Sequence, residues 1–212
     1  MTRFLLALLL SILALPSAAA AAEPSRYVVG LLWRGPQFTP ERSARTDSLQ
    51  AGHMANMVRR YEEGWLVGAG PILDPNSALR GLFFFKADSV AQVVSLIATD
   101  PAIAAGRLRI DLVPWQGPAG LGEEYRKART ANPALKDSMV RYVVALIEPS
   151  PGTPGKIPDT KKILSGPLSD SRELAVFATS DTSEARAWLR RSGQNAYIVC
   201  PWMVARGVIP GH

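Results

Sequence analysis

An internal repeat limits how this chain of 212 residues can fold more than any other feature of its sequence. Four landmarks occur twice and in the same order. RYVV stands at 26–29 and again at 141–144, and GAGPILD, ending at Asp74, corresponds to LSGPLSD, ending at Asp170. GLFFFKADSVAQVVSLI from Gly81 corresponds to ELAVFATSDTSEARAWL from Glu173, and RIDLVPW, ending at Trp115, corresponds to AYIVCPW, ending at Trp202. Because self-similar segments are units that bury apolar surface against each other, the sequence predicts two related modules.

The residue pattern of the first copy predicts an order of strands and helices. The run RYVVGLLW is apolar on both faces, as expected for a central strand. Thr39 followed by Pro40 predicts the start of a long helix, and Gly64 predicts its end. The strands WLVGAG and GLFFFKA come next, and Ser89 with Gln92 predicts the start of a second helix. The closing strand RLRIDLVPW alternates apolar and charged residues, which indicates one buried face.

The resulting order, β-α-β-β-α-β, is that of the ferredoxin-like fold. Both helices lie on one face of such a sheet, so the other face needs cover. Two copies in one chain can provide that cover for each other. We therefore expect an α+β protein in which two ferredoxin-like modules, 26–116 and 141–208, pack as an intrachain pseudo-dimeric α+β barrel. Residues 117–140 are predicted to be the linker.

The two copies differ between the first strand and the Gly-Pro landmark. The second copy is shorter there by roughly the length of a long helix, and it keeps only IPDTKK before its next strand. We predict that the second module lacks the long first helix, which in the first module carries His53. The only other histidine of the chain is its last residue, so any chemistry of His53 occurs once per chain.

The N-terminus has the pattern of a cleavable secretory signal peptide, predicted over residues 1–22. Arg3 supplies the positive charge, FLLALLLSILAL the apolar run and PSAAAAAEPS the small residues of a cleavage site. The apolar run is shorter than the roughly 20 residues that span a bilayer, although a retained anchor is the alternative. The single cysteine, Cys200, lies in a strand-like run and is interpreted as a buried, inert thiol. We expect a periplasmic or secreted protein without stable membrane insertion.

The formal charge of +6 is carried mostly by arginines that are spread along the chain. Since no basic motif is interleaved with aromatic residues, we expect no nucleic-acid partner, whereas an anionic small molecule is compatible with the charge. One internal histidine and one distant cysteine cannot form a conventional structural zinc site, and no glycine-rich phosphate loop follows a strand. We therefore expect no metal and no cofactor. Further assembly into a homo-oligomer is compatible with these features.

The first copy contains HMANMVRRYEEGWLVGAGP, then Asp74 shortly after it, Gly81, and DPAIAAG at 100–106. In these motifs it resembles the YCII-related domain family of the dimeric α+β barrel superfamily. The resemblance extends from Tyr27 to Trp115, and the second copy resembles the family in degenerate form. The resemblance implies an active site with a histidine and an aspartate at the positions of His53 and Asp74. It also implies chemistry without a cofactor, since a few relatives act on aromatic compounds as dehydrochlorinase-like or isomerase-like enzymes.

His53 is the leading candidate for a catalytic residue. A histidine titrates near neutral pH and can accept a proton as a general base, and a nearby carboxylate would orient its ring. Asp74 is the first candidate for that carboxylate, and its alternative role is to cap a turn. Asp100 is the second candidate, and its alternative role is to N-cap a short turn. The alternative for His53 is a polar residue at the rim of a helix whose apolar face is Met54, Met57, Val58 and Tyr61.

Gly70 and Pro71 are predicted either to line the substrate pocket with their backbone or to fix the end of a strand. Two functions from different classes remain. The first is a cofactor-independent lyase or isomerase that acts on a small organic acid or aromatic compound, with His53 as general base. The second is a non-catalytic module of the same fold that binds a small ligand or has a structural role.

Overall fold

The computed structural model describes residues 25–149 and 161–212. This part of the chain is an α+β protein with eight strands and five helices, in the order β1 (Ser25–Arg34), α1 (Ala44–Glu62), β2 (Leu66–Pro71), β3 (Leu79–Phe85), α2 (Val90–Ile97), α3 (Pro101–Ala104), β4 (Leu108–Gly117), α4 (Glu123–Ala131), β5 (Met139–Ile147), β6 (Lys162–Pro167), β7 (Glu173–Phe177), α5 (Thr182–Arg191) and β8 (Ala196–Ala205). The predicted signal peptide lies outside the described residues, as does most of the connection between β5 and β6. The predicted linker contains α4.

The strands form two four-stranded antiparallel sheets with the same internal order. The first sheet is β2-β3-β1-β4 and the second is β6-β7-β5-β8. Their registers match as the repeat predicts, because Tyr27 pairs with Trp115 in the first sheet and Tyr142 pairs with Trp202 in the second. The architecture is compatible with two ferredoxin-like modules. None of the helices in the described residues is long and apolar enough to cross a membrane.

The start of α1 was predicted wrongly. The helix is capped by Ser43, whose hydroxyl accepts a hydrogen bond from the backbone N–H of Thr46, while the Thr46 hydroxyl accepts one from the backbone N–H of Ser43. This reciprocal pair satisfies two of the free donors at the helix start. The carbonyl oxygen of Thr39, the predicted cap, instead accepts a hydrogen bond from Arg107 at 2.8 Å. The caps of the later helices, Ser89 and Asp100, are confirmed.

The buried face of α1 also differs from the prediction. Met54 and Val58 are 47% and 52% exposed, so two of the four predicted core residues face solvent. The residues of α1 that are buried are His53 and Asn56. A helical wheel ranks faces by hydropathy, but this helix places its polar side chains inward because they have buried hydrogen-bond partners.

The two sheets share one hydrophobic core. Phe84 of the first sheet lies 5.5 Å from the Trp115 ring and 5.9 Å from the Trp202 ring of the second sheet, measured between centroids. The opposite face of each sheet forms a separate cluster with its own helices. In the first module this cluster includes Val93 and Ile97 of α2, and in the second it includes Trp188 of α5. Each sheet is therefore covered on both faces.

Both ends of the repeat pair with the other copy in the same way. The backbone N–H of Leu73, just after β2, donates to the Pro201 carbonyl in β8 at 2.8 Å. The backbone N–H of Ser169, just after β6, donates to the Pro114 carbonyl in β4 at 3.0 Å. Isolated bridges at Ile72 with Trp202 and at Trp115 with Leu168 extend the two contacts. Each module thus contributes one edge to each junction.

Candidate functional site

The site is a buried pair formed by His53 on α1 and Asp100 at the start of α3. The distance from His53 Nδ1 to Asp100 Oδ2 is 2.8 Å. The side chain of His53 is 8% exposed and that of Asp100 is fully buried. An aspartate without solvent contact is stable only when hydrogen bonds replace its hydration, and the surroundings of Asp100 supply them.

Asp100 accepts hydrogen bonds on both carboxylate oxygens. Its Oδ1 accepts from the backbone N–H groups of Ala102 at 3.0 Å and Ile103 at 3.3 Å, because Asp100 is the N-cap of α3. Its Oδ2 accepts from His53 and from Asn56 Nδ2 at 3.2 Å. Burial alone would raise the pKa of Asp100, but the hydrogen bond and the charge of His53, together with the other donors, hold the pKa below its ordinary value. Asp100 is therefore held as a carboxylate.

The position of His53 depends on a close approach of α1 to α3. A Cβ atom placed on Gly52 would lie 2.8 Å from Cγ of Pro101, so the helices contact each other where the side chain is smallest. On the other side the imidazole stacks on Phe83 of β3, with ring centroids 5.7 Å apart and planes inclined by 17°. The ring is thus held between a strand and a short helix.

A polar network continues from the pair along α1. The side-chain oxygen of Asn56 accepts a hydrogen bond from Arg59 at 2.8 Å, and Arg59 also donates to the Thr99 hydroxyl at 3.0 Å. Arg60 donates to the same hydroxyl. The sequence did not single out Asn56, and it left Arg59 either as a solvated charge or as a residue that could hold a substrate carboxylate. The signal that could have found Asn56 is its spacing of three residues from His53, which places both on one helix face.

The pair has the geometry of an oriented general base. An ionised carboxylate only accepts hydrogen bonds, so the contact with Asp100 requires that Nδ1 of His53 carry the proton. The neutral ring then presents Nε2 as the acceptor. Nε2 has no hydrogen-bond partner among the described residues. The side chain of His53 keeps 8% of its surface exposed.

The other predicted site residues lie in different surroundings. The Asp74 carboxylate accepts a hydrogen bond from the backbone N–H of Asn76 at 2.8 Å, an arrangement typical of a turn. A Cβ atom on Gly70 would lie 1.9 Å from the carbonyl oxygen of Met203, so Gly70 packs against β8. Pro71 follows as the last residue of β2. The carboxylate that contacts His53 is Asp100, the second candidate from the sequence.

A cleft of about 490 Å³ lies in the second module, where it is lined by residues that include Gly166, Arg172, Glu173 and Gln194. His53 is not part of its lining. Within residues 25–149 and 161–212, no three histidine, cysteine, aspartate or glutamate side chains are grouped in a way that would hold a metal ion.

Comparisons with protein families, with curated proteins and with solved structures give no significant match. The resemblance to the YCII-related family therefore rests on the motifs of the chain itself. Function has to be argued from the geometry of His53 and Asp100.

Proposed function

We propose that this chain is an exported tandem of YCII-related modules that pack as an intrachain α+β barrel. Export is supported by the signal-peptide pattern of residues 1–22. The barrel is supported by a hydrogen bond and an isolated bridge that join the residues just after β2 to β8, by the equivalent contacts between the residues just after β6 and β4, and by the core that the two sheets share. A closed barrel would leave neither sheet with a free edge strand.

We further propose that the first module is a cofactor-independent lyase or isomerase with His53 as its general base. The observation that carries this proposal is the 2.8 Å contact between His53 Nδ1 and the fully buried carboxylate of Asp100. A carboxylate in this position fixes the tautomer and stabilises the imidazolium that forms when Nε2 takes a proton. The substrate class is a small organic acid or aromatic compound, as in the family that the chain resembles.

The proposed reaction begins with proton transfer from a carbon atom of the substrate to Nε2 of His53. The electron pair of the broken C–H bond moves into the substrate. In an isomerase the imidazolium returns the proton to a different carbon atom. In a lyase the electron pair expels a leaving group, and the proton leaves His53 for solvent or for that group. Because 8% of the His53 side chain is exposed, the substrate must be small or α1 must move to admit it.

The proposal is tested by proton exchange, which needs no knowledge of the product. Candidate carboxylic acids and aromatic compounds are incubated with the full chain in deuterated buffer, and loss of the C–H signal is followed by NMR. For a compound that exchanges, we expect His53→Asn to lower the rate by about 10²–10⁴-fold, as is typical of an acid–base group. Asp100→Asn should also lower it, because the amide favours the wrong tautomer.

Asp74 and Asp170, at equivalent positions of the two copies, provide matched controls. Asp74→Asn and Asp170→Asn should leave the exchange rate unchanged, since neither carboxylate is hydrogen-bonded to His53. The proposal is rejected if the exchange rate survives in His53→Asn. It is also rejected if Asp74→Asn lowers the rate as strongly as Asp100→Asn does.

A second function, a non-catalytic module, is favoured by the polar network around the pair. Asn56, Arg59 and Thr99 connect α1 to the end of α2 through hydrogen bonds that require no substrate. Under this alternative the His53–Asp100 pair holds the helices together. It predicts no catalysed exchange in any compound and a loss of stability in His53→Asn.

A further inference from the structure

Three guanidinium groups surround one aromatic ring at the end of the first sheet. The ring is that of Phe38, in the connection between β1 and α1. The guanidinium carbon atoms of Arg34 and Arg107 each lie 5.0 Å from its centroid, and that of Arg80 lies 5.9 Å away. Arg34 is the last residue of β1, Arg80 is the second residue of β3 and Arg107 immediately precedes β4, so the sheet brings the three arginines together.

No carboxylate of the described residues forms a salt bridge with this cluster, although the negative charge of Asp74 acts on Arg80. None of the salt bridges among residues 25–149 and 161–212 includes Arg34, Arg80 or Arg107. Their hydrogen bonds go to uncharged oxygens, namely the Pro75 carbonyl, the Asp74 and Ser77 carbonyls, and the carbonyl and hydroxyl of Thr39. Each guanidinium uses one of its three nitrogens in these contacts, which leaves two nitrogens to donate elsewhere.

The repeat supplies an internal comparison. Arg80 and Arg172 occupy equivalent positions, each just before the residue that pairs with the proline at the end of β2 or β6. In the second module Arg172 donates from two nitrogens to the Asp170 carboxylate. In the first module the equivalent carboxylate, Asp74, contacts the backbone of Asn76, and Arg80 reaches only its carbonyl oxygen.

The two equivalent arginines also differ in the direction of their pKa shifts. Burial, and then the nearby charge of Arg34, lowers the pKa of Arg80. The hydrogen bonds to Asp170 raise the pKa of Arg172 well above its ordinary value. The first module therefore holds positive charges close to each other, and a bound anion would stabilise this arrangement.

We propose that Arg34, Arg80 and Arg107 form a binding site for a small multivalent oxyanion, of the phosphate or carboxylate type. Guanidinium groups recognise the planar oxygen pairs of such anions through two parallel hydrogen bonds. Three of them around a single ring suit one compact ligand, whereas a polymer would need an extended basic track. The cluster shares no residue with the His53 site, so this proposal is independent of the proposed function.

The test is isothermal titration calorimetry of the full chain at constant ionic strength, with pyrophosphate as the phosphate probe and tricarballylate as the carboxylate probe. We expect saturable one-to-one binding of at least one probe, and the stronger binder identifies the anion type. Arg80→Gln and Arg107→Gln should each weaken it by about tenfold, the effect of losing a charge-assisted hydrogen bond. Arg34→Gln should act in the same direction, and because Arg34 is exposed this variant tests the site even if the others fail to fold.

Two control variants remove the same charge elsewhere. Arg42 is exposed and paired with Asp47, and Arg172 is paired with Asp170, so Arg42→Gln and Arg172→Gln should bind the probe as the unmodified protein does. The proposal is overturned if neither probe binds saturably. It is equally overturned if the control variants weaken binding as much as the cluster variants, since the anion would then respond to net charge alone.

Discussion

A carboxylate without solvent contact is tolerated where hydrogen-bond donors replace its water, and Asp100 has four such donors. Two belong to the backbone at the start of α3, one to His53 and one to Asn56. The residue therefore combines the function of a helix cap with that of a hydrogen-bond acceptor for His53. Removing its carboxylate would take away the acceptor of all four hydrogen bonds at a position that has no solvent contact of its own.

We predict that Asp100→Ala lowers the free energy of unfolding by about 3–5 kcal/mol at pH 7, because it breaks a buried pair and removes a cap. The measurement is urea denaturation of the full chain. Since the pKa of Asp100 is lower in the folded state than the value of about 3.9 in an unfolded chain, the ionised carboxylate stabilises the fold above that pH. This contribution is lost as the pH falls through the lower folded-state pKa, so the difference between the two proteins should shrink under acid.

Asp181→Ala is the matched control for this prediction. Asp181 caps α5 with its carboxylate but is exposed and has no buried histidine partner. We expect a smaller loss of stability than for Asp100→Ala. Equal losses in the two variants would show that only capping matters at Asp100 and that the contact with His53 contributes nothing measurable.

At the scale of elements, Gly52 determines how closely α1 approaches α3. Glycine inside a helix costs about 1 kcal/mol relative to alanine, so its presence there needs a reason. The reason is the Pro101 ring of α3, which would lie 2.8 Å from a Cβ atom at this position. A proline ring at the first position of a helix has little freedom to move aside. The two helices can therefore contact each other because Gly52 has no Cβ methyl group.

We predict that Gly52→Ala destabilises the protein, although helix propensity alone predicts the opposite. Its methyl group should separate α1 from α3 and lengthen the contact between His53 and Asp100. Urea denaturation gives the sign of the stability change, and the NMR titration of His53 reports the contact. Ala51→Gly, at an exposed neighbouring position, is the control and should show the loss expected from propensity alone. A stabilised Gly52→Ala variant would contradict the proposed packing.

Parts of the site were within reach of sequence analysis. The pattern Asp100-Pro101 predicted an N-cap, and His53 was singled out because it is the one internal histidine. Asp100 was only the second candidate for the carboxylate that contacts His53, because the rotation of α1 about its axis decides which carboxylate the ring faces. Hydropathy placed Met54 and Val58 inward, whereas buried hydrogen bonds turned His53 and Asn56 inward instead. Polar partners that are distant in sequence carry no periodic signal.

At the scale of the whole molecule, two glycines mark where the copies meet. A Cβ atom on Gly70 would lie 1.9 Å from the Met203 carbonyl oxygen, and one on Gly166 would lie 2.1 Å from the Gln116 carbonyl oxygen. Each glycine also lies against the indole nitrogen of the other copy's tryptophan, Trp202 or Trp115. The two junctions are thus built alike.

We predict that Gly70→Ala and Gly166→Ala each destabilise the protein by about 1–3 kcal/mol or more, the cost of overpacking against backbone that cannot move aside. Unfolding should remain a single transition by fluorescence and by circular dichroism, since the two sheets share a core. Gly193→Ala is the control, because its Cβ atom would meet nothing within 4 Å although φ is +68°. If the junction variants cost no more than this control, the modules do not depend on each other.

The repeat made the shared order of the strands in the two sheets predictable, since four landmarks fixed the correspondence of the copies. The arginine cluster was not predicted. Arg34, Arg80 and Arg107 are far apart in sequence, and only the strand registers bring them to one end of the sheet. The length of the second module's first connection is visible in the sequence, but its structure lies outside the described residues.

Joining the two copies in one polypeptide has an evolutionary consequence. In an assembly of identical subunits every substitution appears twice, so an advantageous change in one half is constrained by its effect in the other. Here each half can change alone, as Arg80 and Arg172 illustrate: equivalent positions now have different neighbours and different charges around them. Dilution cannot separate halves that are covalently linked. The fused chain can therefore specialise one half while the other serves mainly as its permanent scaffold.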